Sequence, residues 1–198
     1  MNRELVVATR NKKKLEEIKY LLKGLGLEIT SLKDYPRAPN VKESGRTFVD
    51  NAKKKAFAIA RFTGKLTLGE DSGLEVDFLK GAPGVYSSRF SGIEKNDLKN
   101  NFKLLRLLGN LPLNKRRARY QCAVALADKS GIRKIVTGNC SGRIGFELKG
   151  KFGFGYDPIF FVRQYKKTFA QVSPAMKHKI SHRAKAIGVI RKAIATLV

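Results

Sequence analysis

The opening of this chain constrains it most: a strand, a tight connection and a helix follow one another with almost nothing between them. Leu5-Val6-Val7-Ala8 reads as a buried strand. Thr9-Arg10-Asn11 is a short connection, and Leu15, Ile18, Leu21 and Leu22 then recur at helical spacing, with Gly24 as a stop. Lys12, Lys13 and Lys14 fall in the first helical turn, where cations oppose the helix dipole. An anion resolves that conflict if helix N–H groups and lysines both face a phosphate. Lysines that snorkel into water resolve it as well. The pattern is not a P-loop, because G-x-x-x-x-G-K-S/T occurs nowhere in the chain.

A second stretch, Leu66-Thr67-Leu68-Gly69-Glu70-Asp71-Ser72-Gly73-Leu74, sets two carboxylates side by side after an apolar run. Neighbouring side chains on a strand point opposite ways, so Glu70 and Asp71 share one ion only where the strand breaks into a turn. Ser72 and Gly73 permit such a break, which is the expectation here. Hard cations such as Mg²⁺ take carboxylate and phosphate oxygens. A polar loop after a strand is the plainer reading of the same residues.

The remaining stretches are read in order. Thr47 caps a helix that carries Phe48, Ala52, Ala56 and Ile59 on one face, with Asn51 and Lys55 four apart on another, and Gly64 ends it. Asp97 caps a helix bearing Leu98, Phe102, Leu105 and Leu108. Tyr120, Cys122, Val124 and Leu126 alternate as in a half-buried strand, and Ile135-Val136 and Arg143-Ile144 suggest two more. Phe152-Gly153-Phe154-Gly155-Tyr156-Asp157-Pro158 alternates aromatics with glycine, which suits a stacking platform for a base or, equally, a buried core. Lys177-His178-Lys179-Ile180-Ser181-His182-Arg183 leads into the last helix, with Ser181 as its cap.

Composition bounds the possibilities. The chain has 198 residues, 42% of them hydrophobic, which suits one globular unit, bilobed or not, and excludes disorder. No apolar run approaches the roughly 20 residues of a membrane helix, and Met1-Asn2-Arg3-Glu4 leads into a strand without a leader pattern. Cys122 and Cys140 lack metal-ligand spacing and read as reduced core residues of a cytoplasmic protein. Lys plus Arg is 41 against 16 acidic residues, a net charge of +25 that attracts polyanions without choosing among them.

Five stretches in order resemble the inosine triphosphate pyrophosphatase family, the noncanonical purine nucleotide pyrophosphatases, over nearly the whole chain. Ala8-Thr9-Arg10-Asn11-Lys12-Lys13-Lys14 is similar to its triphosphate loop, T/S-x-N-x-x-K. Glu43 through Ala56 resembles its E-x-x-x-x-F-x-x-N-A-x-x-K-A helix. Glu70-Asp71-Ser72-Gly73-Leu74 and Gly81-x-Pro83-Gly84-Val85-Tyr86-Ser87 resemble its D-D-S-G-L and G-x-P-G-x-Y-S pair. Phe154-Gly155-Tyr156-Asp157-Pro158-Ile159-Phe160 and Ile180-Ser181-His182-Arg183 match its closing motifs. The chain departs from the family at Arg10 and Lys13, where glycine is common, at Glu70, which replaces an Asp, and at Gln171, where Glu is usual.

The resemblance implies a single α/β domain over residues 1–198, an elongated mixed twisted sheet with flanking helices and two lobes around a nucleotide cleft. It implies a homodimer with no specific nucleic-acid or membrane partner. The implied reaction is Mg²⁺-dependent hydrolysis of ITP, dITP and XTP to the monophosphate and pyrophosphate, cleansing the nucleotide pool. Asp71 then holds the metal and accepts the proton of the attacking water. These roles compete, so its free oxygen or a second carboxylate takes the proton. Glu43 is the best further metal ligand and Glu70 the next. Thr9, Arg10, Asn11, Lys12, Lys13, Lys14, Lys55 and Ser72 line the phosphates, and Phe154, followed by Gly155 and Tyr156, stacks on the base. Asp157, Lys177, His182 and Arg183 read the base edge. Donor-only groups there favour a 6-oxo purine over adenine.

Two rivals stand beside this reading. A nucleic-acid-binding module suits the basic charge but leaves Glu43, Glu70 and Asp71 unexplained. A catalytically dead nucleotide sensor is at odds with an intact Asp71. Salt separates the first rival. Duplex DNA binding, measured by filter retention or anisotropy, is expected to be weak and to fall steeply with added salt. Nucleotide hydrolysis is expected to survive the same salt. Tight DNA binding at physiological salt without ITP hydrolysis would favour the module.

Overall fold

The computed structural model describes residues 4–197; residues 1–3, read above as a lead-in without a leader pattern, lie outside them. Seven strands form one mixed sheet in the order β2-β1-β3-β4-β5-β6-β7, with helices flanking it. The strands are β1 (Glu4–Val7), β2 (Glu28–Ser31), β3 (Thr67–Val76), β4 (Arg117–Asp128), β5 (Gly131–Ile144), β6 (Phe160–Val162) and β7 (Lys167–Thr168). The helices are α1 (Lys12–Leu22), α2 (Phe48–Thr63), α3 (Asp97–Leu108), α4 (Pro174–Ile180) and α5 (His182–Leu197). The chain divides into two compact units. Among the described residues, one comprises 4–71, Cys122–Gly138 and α5, and the other Ser72–Gln121 and Asn139–Ser181. No helix among the described residues is long and apolar enough to cross a membrane.

In the first unit β1 pairs in parallel with β2 and with β3, in the register Val7↔Ser31 and Val7↔Leu68. Leu5, Val6 and Val7 are fully buried, as expected for a central parallel strand covered on both faces. Asn11 caps α1 and accepts from the Lys14 N–H, and Arg191 of α5 donates to the Leu21 carbonyl at its far end. Thr47 and Asp50 form a capping box at the start of α2, and Gly64 closes it at φ +69°. The buried face of α2 carries alanines at 52, 56 and 60 together with Asn51 and Lys55. Those alanines let the helix lie directly on β3. A Cβ added at Gly69 would sit 2.3 Å from the Ala52 oxygen and 2.5 Å from the Ala56 nitrogen. Gly138 of β5 meets the start of α5 in the same way: a Cβ added there would sit 2.4 Å from the His182 oxygen and 2.6 Å from the Ala186 nitrogen.

In the second unit β5, β6 and β7 pair antiparallel. The core gathers Leu74, Val76, Leu104, Leu108, Ile159 and Val172 around a cluster of Tyr120, Phe160 and Phe169. Tyr120 and Phe160 have ring centroids 4.7 Å apart, and Phe160 and Phe169 5.0 Å. Asn100 of α3 accepts from the Ser91 N–H and hydroxyl at 2.7 Å each, fixing the loop ahead of the helix.

Four local expectations are corrected. Ser72 and Gly73 do not break the strand: β3 runs on to Val76, because Leu74 and Val76 continue the buried apolar pattern beyond the carboxylates. Ile135-Val136 and Arg143-Ile144 belong to one long strand, β5. The segment from Lys177 does not run into the last helix but belongs to a separate one, α4, capped by Ser173; Ser181 ends it and lies directly before α5, which begins at His182. Asn96 caps α3 in place of Asp97, and the buried face is Asn100, Asn101, Leu104 and Leu108, leaving Leu98 and Phe102 exposed.

The contact at Gly69 yields a stability prediction. Gly69→Ala forces a methyl into the α2 backbone, and overpacking of this kind costs about 1–3 kcal/mol. Thermal and urea unfolding should both report the loss. An unchanged midpoint would mean that α2 can retreat from the strand.

Candidate active site

β3 sorts the two carboxylates. Because the strand continues, Glu70 and Asp71 project to opposite faces and take different partners. The Asp71 side meets α2. Asn51 Nδ2 donates to Asp71 Oδ2 at 2.9 Å, and Asn51 Oδ1 in turn accepts from the Gly45 N–H at 2.7 Å, which fixes the amide's orientation. Lys55 Nζ lies 2.7 Å from Glu43 Oε1 and 3.6 Å from Asp71 Oδ1, so two carboxylates converge on one ammonium. Asp71 is 6% exposed. Burial raises its pKa above the ordinary 3.8 and the Glu43 charge adds to this, while Lys55, Lys14 and the Asn51 hydrogen bond pull the other way.

The Glu70 side is a closed ion network. Lys14 Nζ lies 2.9 Å from Glu70 Oε2, and Arg183 Nη2 donates to Oε1 at 2.9 Å. Arg183 Nη1 pairs with Glu17, and the Cys122 thiol donates to Glu70 Oε1 at 3.4 Å. Burial alone would raise the Glu70 pKa, but Arg183, Lys14 and Lys55 outweigh it and hold the carboxyl well below the ordinary range. Burial likewise opposes the charge on Lys14, and Glu70 more than restores it. A lysine in the first turn of α1 is therefore tolerated because a carboxylate faces it.

The other residues of the opening loop divide by role. Thr9 Oγ1 accepts from the Asn11 N–H at 3.1 Å and Asn11 Oδ1 accepts from the Lys14 N–H at 3.1 Å, so both shape the start of α1. Arg10 donates to the Ala38 carbonyl at 3.3 Å. Lys12 and Lys13 are exposed.

The second unit holds a group around Asp157. Its Oδ2 accepts from Lys177 Nζ at 2.6 Å and from the Phe154 N–H at 2.9 Å, and its Oδ1 from the Tyr120 hydroxyl at 3.3 Å. Phe154 is half-buried, with Lys177 Nζ 4.7 Å from its ring centroid. Tyr156 is core: its ring is buried and its hydroxyl donates to the Ser87 carbonyl at 2.9 Å. Gly153, at φ +77°, has no room for a side chain, since a Cβ would meet Asp157 Oδ2 at 2.0 Å. Ser72 is half-buried beyond Asp71 on β3. Gln171 accepts from the Thr168 N–H at 3.0 Å and closes a capping box, a task that needs no charge.

Several expected associations are thus divided. Glu43 and Asp71 come together, whereas Glu70 is committed to Lys14 and Arg183. No group of three His, Cys, Asp or Glu among the described residues converges as a metal site. Lys177 serves Asp157, while Arg183, buried with His182 at the start of α5, serves Glu17 and Glu70. Asn51, Glu17 and Tyr120 hold these groups in place and were not among the expected site residues. Asn51 had left a signal in its four-residue spacing from Lys55, and Glu17 in being a carboxylate beside the apolar stripe of its helix.

Lysines facing carboxylates beside a helix start, on a mixed α/β sheet, are an arrangement compatible with a protein that handles charged phosphate groups. Comparison with known proteins narrows the class. Residues 5–193 match the model of the Ham1 family. The chain is 52% identical over 184 residues to the dITP/XTP pyrophosphatase of Desulforamulus reducens, covering 93% of this chain and 92% of that one. It is 45% identical to the enzyme of the same name from Exiguobacterium sibiricum, covering 98% of each. Its structure is similar to that of a HAM1 protein from Coxiella burnetii, with a TM-score of 0.89, 36% identity and coverage of 99% of this chain and 100% of that chain. The Staphylococcus aureus Ham1 protein matches with a TM-score of 0.87 and 36% identity over 98% and 100% of the two chains. The chain belongs to the Ham1 family.

The ion network makes a prediction of its own. Arg183→Ala leaves Glu17 and Glu70 buried without their shared cation, a loss of about 3–5 kcal/mol by chemical denaturation. The pKa of Glu70 is depressed in the folded state, so its stabilising contribution is present above the ordinary carboxylate value of 4.5 and is lost as pH falls through the lower folded value. The gap between wild type and Arg183→Ala should therefore narrow in strong acid. A gap that is constant with pH would disconnect Arg183 from Glu70.

Proposed function

We propose that this chain is a nucleoside triphosphate pyrophosphatase that hydrolyses noncanonical purine nucleoside triphosphates, ITP, dITP and XTP, to the monophosphate and pyrophosphate with Mg²⁺. The observation that carries the reading is the convergence of Glu43 and Asp71 on Lys55, with Asp71 fixed by Asn51. The names of its relatives, dITP/XTP pyrophosphatase, support the substrate class.

The donor set fits Mg²⁺. Two carboxylates already share one cation, and Mg²⁺ is commonly held by one or two carboxylates together with substrate phosphates and water. Glu43 and Asp71 would hold the ion, and Glu70, turned to the other face, would not. Bound there, the ion supplies charge that offsets the phosphates and polarises them.

The protein's own groups do the rest. Phosphoryl transfer needs positioning and charge stabilisation more than covalent help. The start of α1, shaped by Thr9 and Asn11, faces phosphate with Arg10, Lys12 and Lys13 around it, and Lys14 and Lys55 add half-buried and buried cations. Asp71 Oδ2 accepts from Asn51, and because metal and proton compete for Asp71, the oxygen it does not give to the metal, or Glu43 beside it, takes the proton of the attacking water. Arg183 contributes by holding Glu70, which in turn holds Lys14 in place, and His182 lies buried beside it at the start of α5. In the second unit Phe154 stacks on the base, and Lys177, a donor-only group oriented by Asp157, favours a 6-oxo purine. The proposal includes a homodimer and a cytoplasmic setting, both carried by the resemblance, and the buried cysteines 122 and 140, present as thiols, suit the latter.

Asp71→Asn should fold and lose activity by ~10²-fold at least, the scale of a missing general base. Pyrophosphate release from ITP, XTP, GTP and ATP, with and without Mg²⁺, measures it. Protons and metal compete for Asp71, so the acid limb of the wild-type profile should move to lower pH as Mg²⁺ is raised. Wild-type turnover by the mutant removes Asp71 from the reaction.

A further inference from the structure

Phe154, the proposed base platform, is followed by a glycine whose backbone is held on both sides by one helix. Gly155 sits in the left-handed region at φ +64°. Its N–H donates to Asp97 Oδ2 at 2.8 Å, and its carbonyl accepts from Asn101 Nδ2 at 2.8 Å. Asp97 and Asn101 are four residues apart on α3 and so share a face. Phe154's own N–H is held by Asp157. The backbone on either side of the ring is therefore tied, one end to the Asp157 group and the other to α3.

Asn101 is an unusual choice for this position. It is 1% exposed, and its Nδ2 also donates to the Asp97 carbonyl at 2.7 Å. Its Oδ1 is buried without a hydrogen-bond partner. A buried oxygen left unsatisfied is costly, so the residue's value lies in its donor end. An apolar side chain would pack the same helix face without that cost but would leave the Gly155 carbonyl unheld. Asn100, beside it, uses both ends of its amide on the Ser87–Ser91 loop, which shows that α3 can satisfy an asparagine fully. The partial satisfaction of Asn101 follows from its task at Gly155.

From this geometry we infer that Asp97 and Asn101 are positioning residues that clamp the Gly155 backbone, fix the presented face of Phe154, and thereby set affinity for the base. The inference rests on the function proposed above. The clamp acts on the ring that meets substrate and has no part in handling phosphate or water, so its loss belongs in KM more than in kcat.

The test is a set of variants of the full chain assayed with ITP. Asp97→Ala and Asn101→Ala should each raise KM about 5- to 10-fold, with kcat changing about 2-fold at most, the scale of one lost hydrogen bond. Asp97→Asn keeps an acceptor for the Gly155 N–H and should bring KM back to within about 2-fold of wild type. In a Phe154→Ala background the same alanine substitutions should add almost nothing, since the ring they position is gone. Hydrogen–deuterium exchange at residues 154 and 155 should quicken in both alanine variants, a readout independent of turnover. Should Asn101→Ala fail to fold, the Asp97 series decides, because Asp97 is exposed. Unchanged KM in folded variants, or penalties that add in full to that of Phe154→Ala, would overturn the inference alone. Failure of the wild type to hydrolyse ITP would overturn the functional reading and this inference with it, even where the exchange data confirm the clamp.

Discussion

The backbone contact between α2 and β3 at Gly69 is the constraint on which the first unit depends. Any side chain there would hold the helix off the strand, and a helix set further away could not bring Asn51 and Lys55 to Asp71. The alanines at 52, 56 and 60 are the other half of the same contact. Small residues here bring two polar side chains against a strand without burying them unpaired, since each finds a partner on arrival. The meeting of Gly138 with the start of α5 repeats the device and delivers Arg183. Two glycines on two strands thus seat two helices, and each helix carries a group of the ion network or the carboxylate pair.

Strand alternation then divides labour between adjacent acids. Glu70 is neutralised by Lys14 and Arg183 and held ionised, which makes it a fixed counter-charge. Asp71, one residue on, is buried with weaker compensation, and its pKa is raised above the ordinary 3.8. Two carboxylates with nearly the same sequence surroundings acquire opposite properties because the pleat turns one toward α1 and α5 and the other toward α2.

Much of this was legible from residue patterns. Thr47 and Gly64 bracketed α2 to the residue, because caps are set by local hydrogen bonding and backbone freedom. The apolar run from Leu5 announced a central strand, and the spacing of Asn51 and Lys55 placed them on one face. What failed to show was decided by distant packing. Glu70 and Asp71 look like the end of a strand until Leu74 and Val76 are seen to be core. The segment around Lys177 looks like a run-up to the last helix until Ser181 is seen to close a helix of its own. Asn101 carries no local mark of its role, since its partner is 54 residues away. Arg183 reads as a donor to the base edge because nothing near it in sequence reveals that Glu17 and Glu70 await it.

The thiol of Cys122 lies inside the ion network, donating to Glu70. Burial, then the neighbouring Glu70 charge, push its pKa well above the ordinary 9.0, so it stays protonated. Oxidants and electrophiles react with thiolates, and only with those they can reach. A sulfur placed next to the charged centre of the first unit is therefore chemically silent, and peroxide or alkylating agents at levels that modify exposed cysteines leave the network around Glu70 untouched. Burial, aided by the same carboxylate that steadies Lys14, thus keeps a redox-sensitive atom in its inert form.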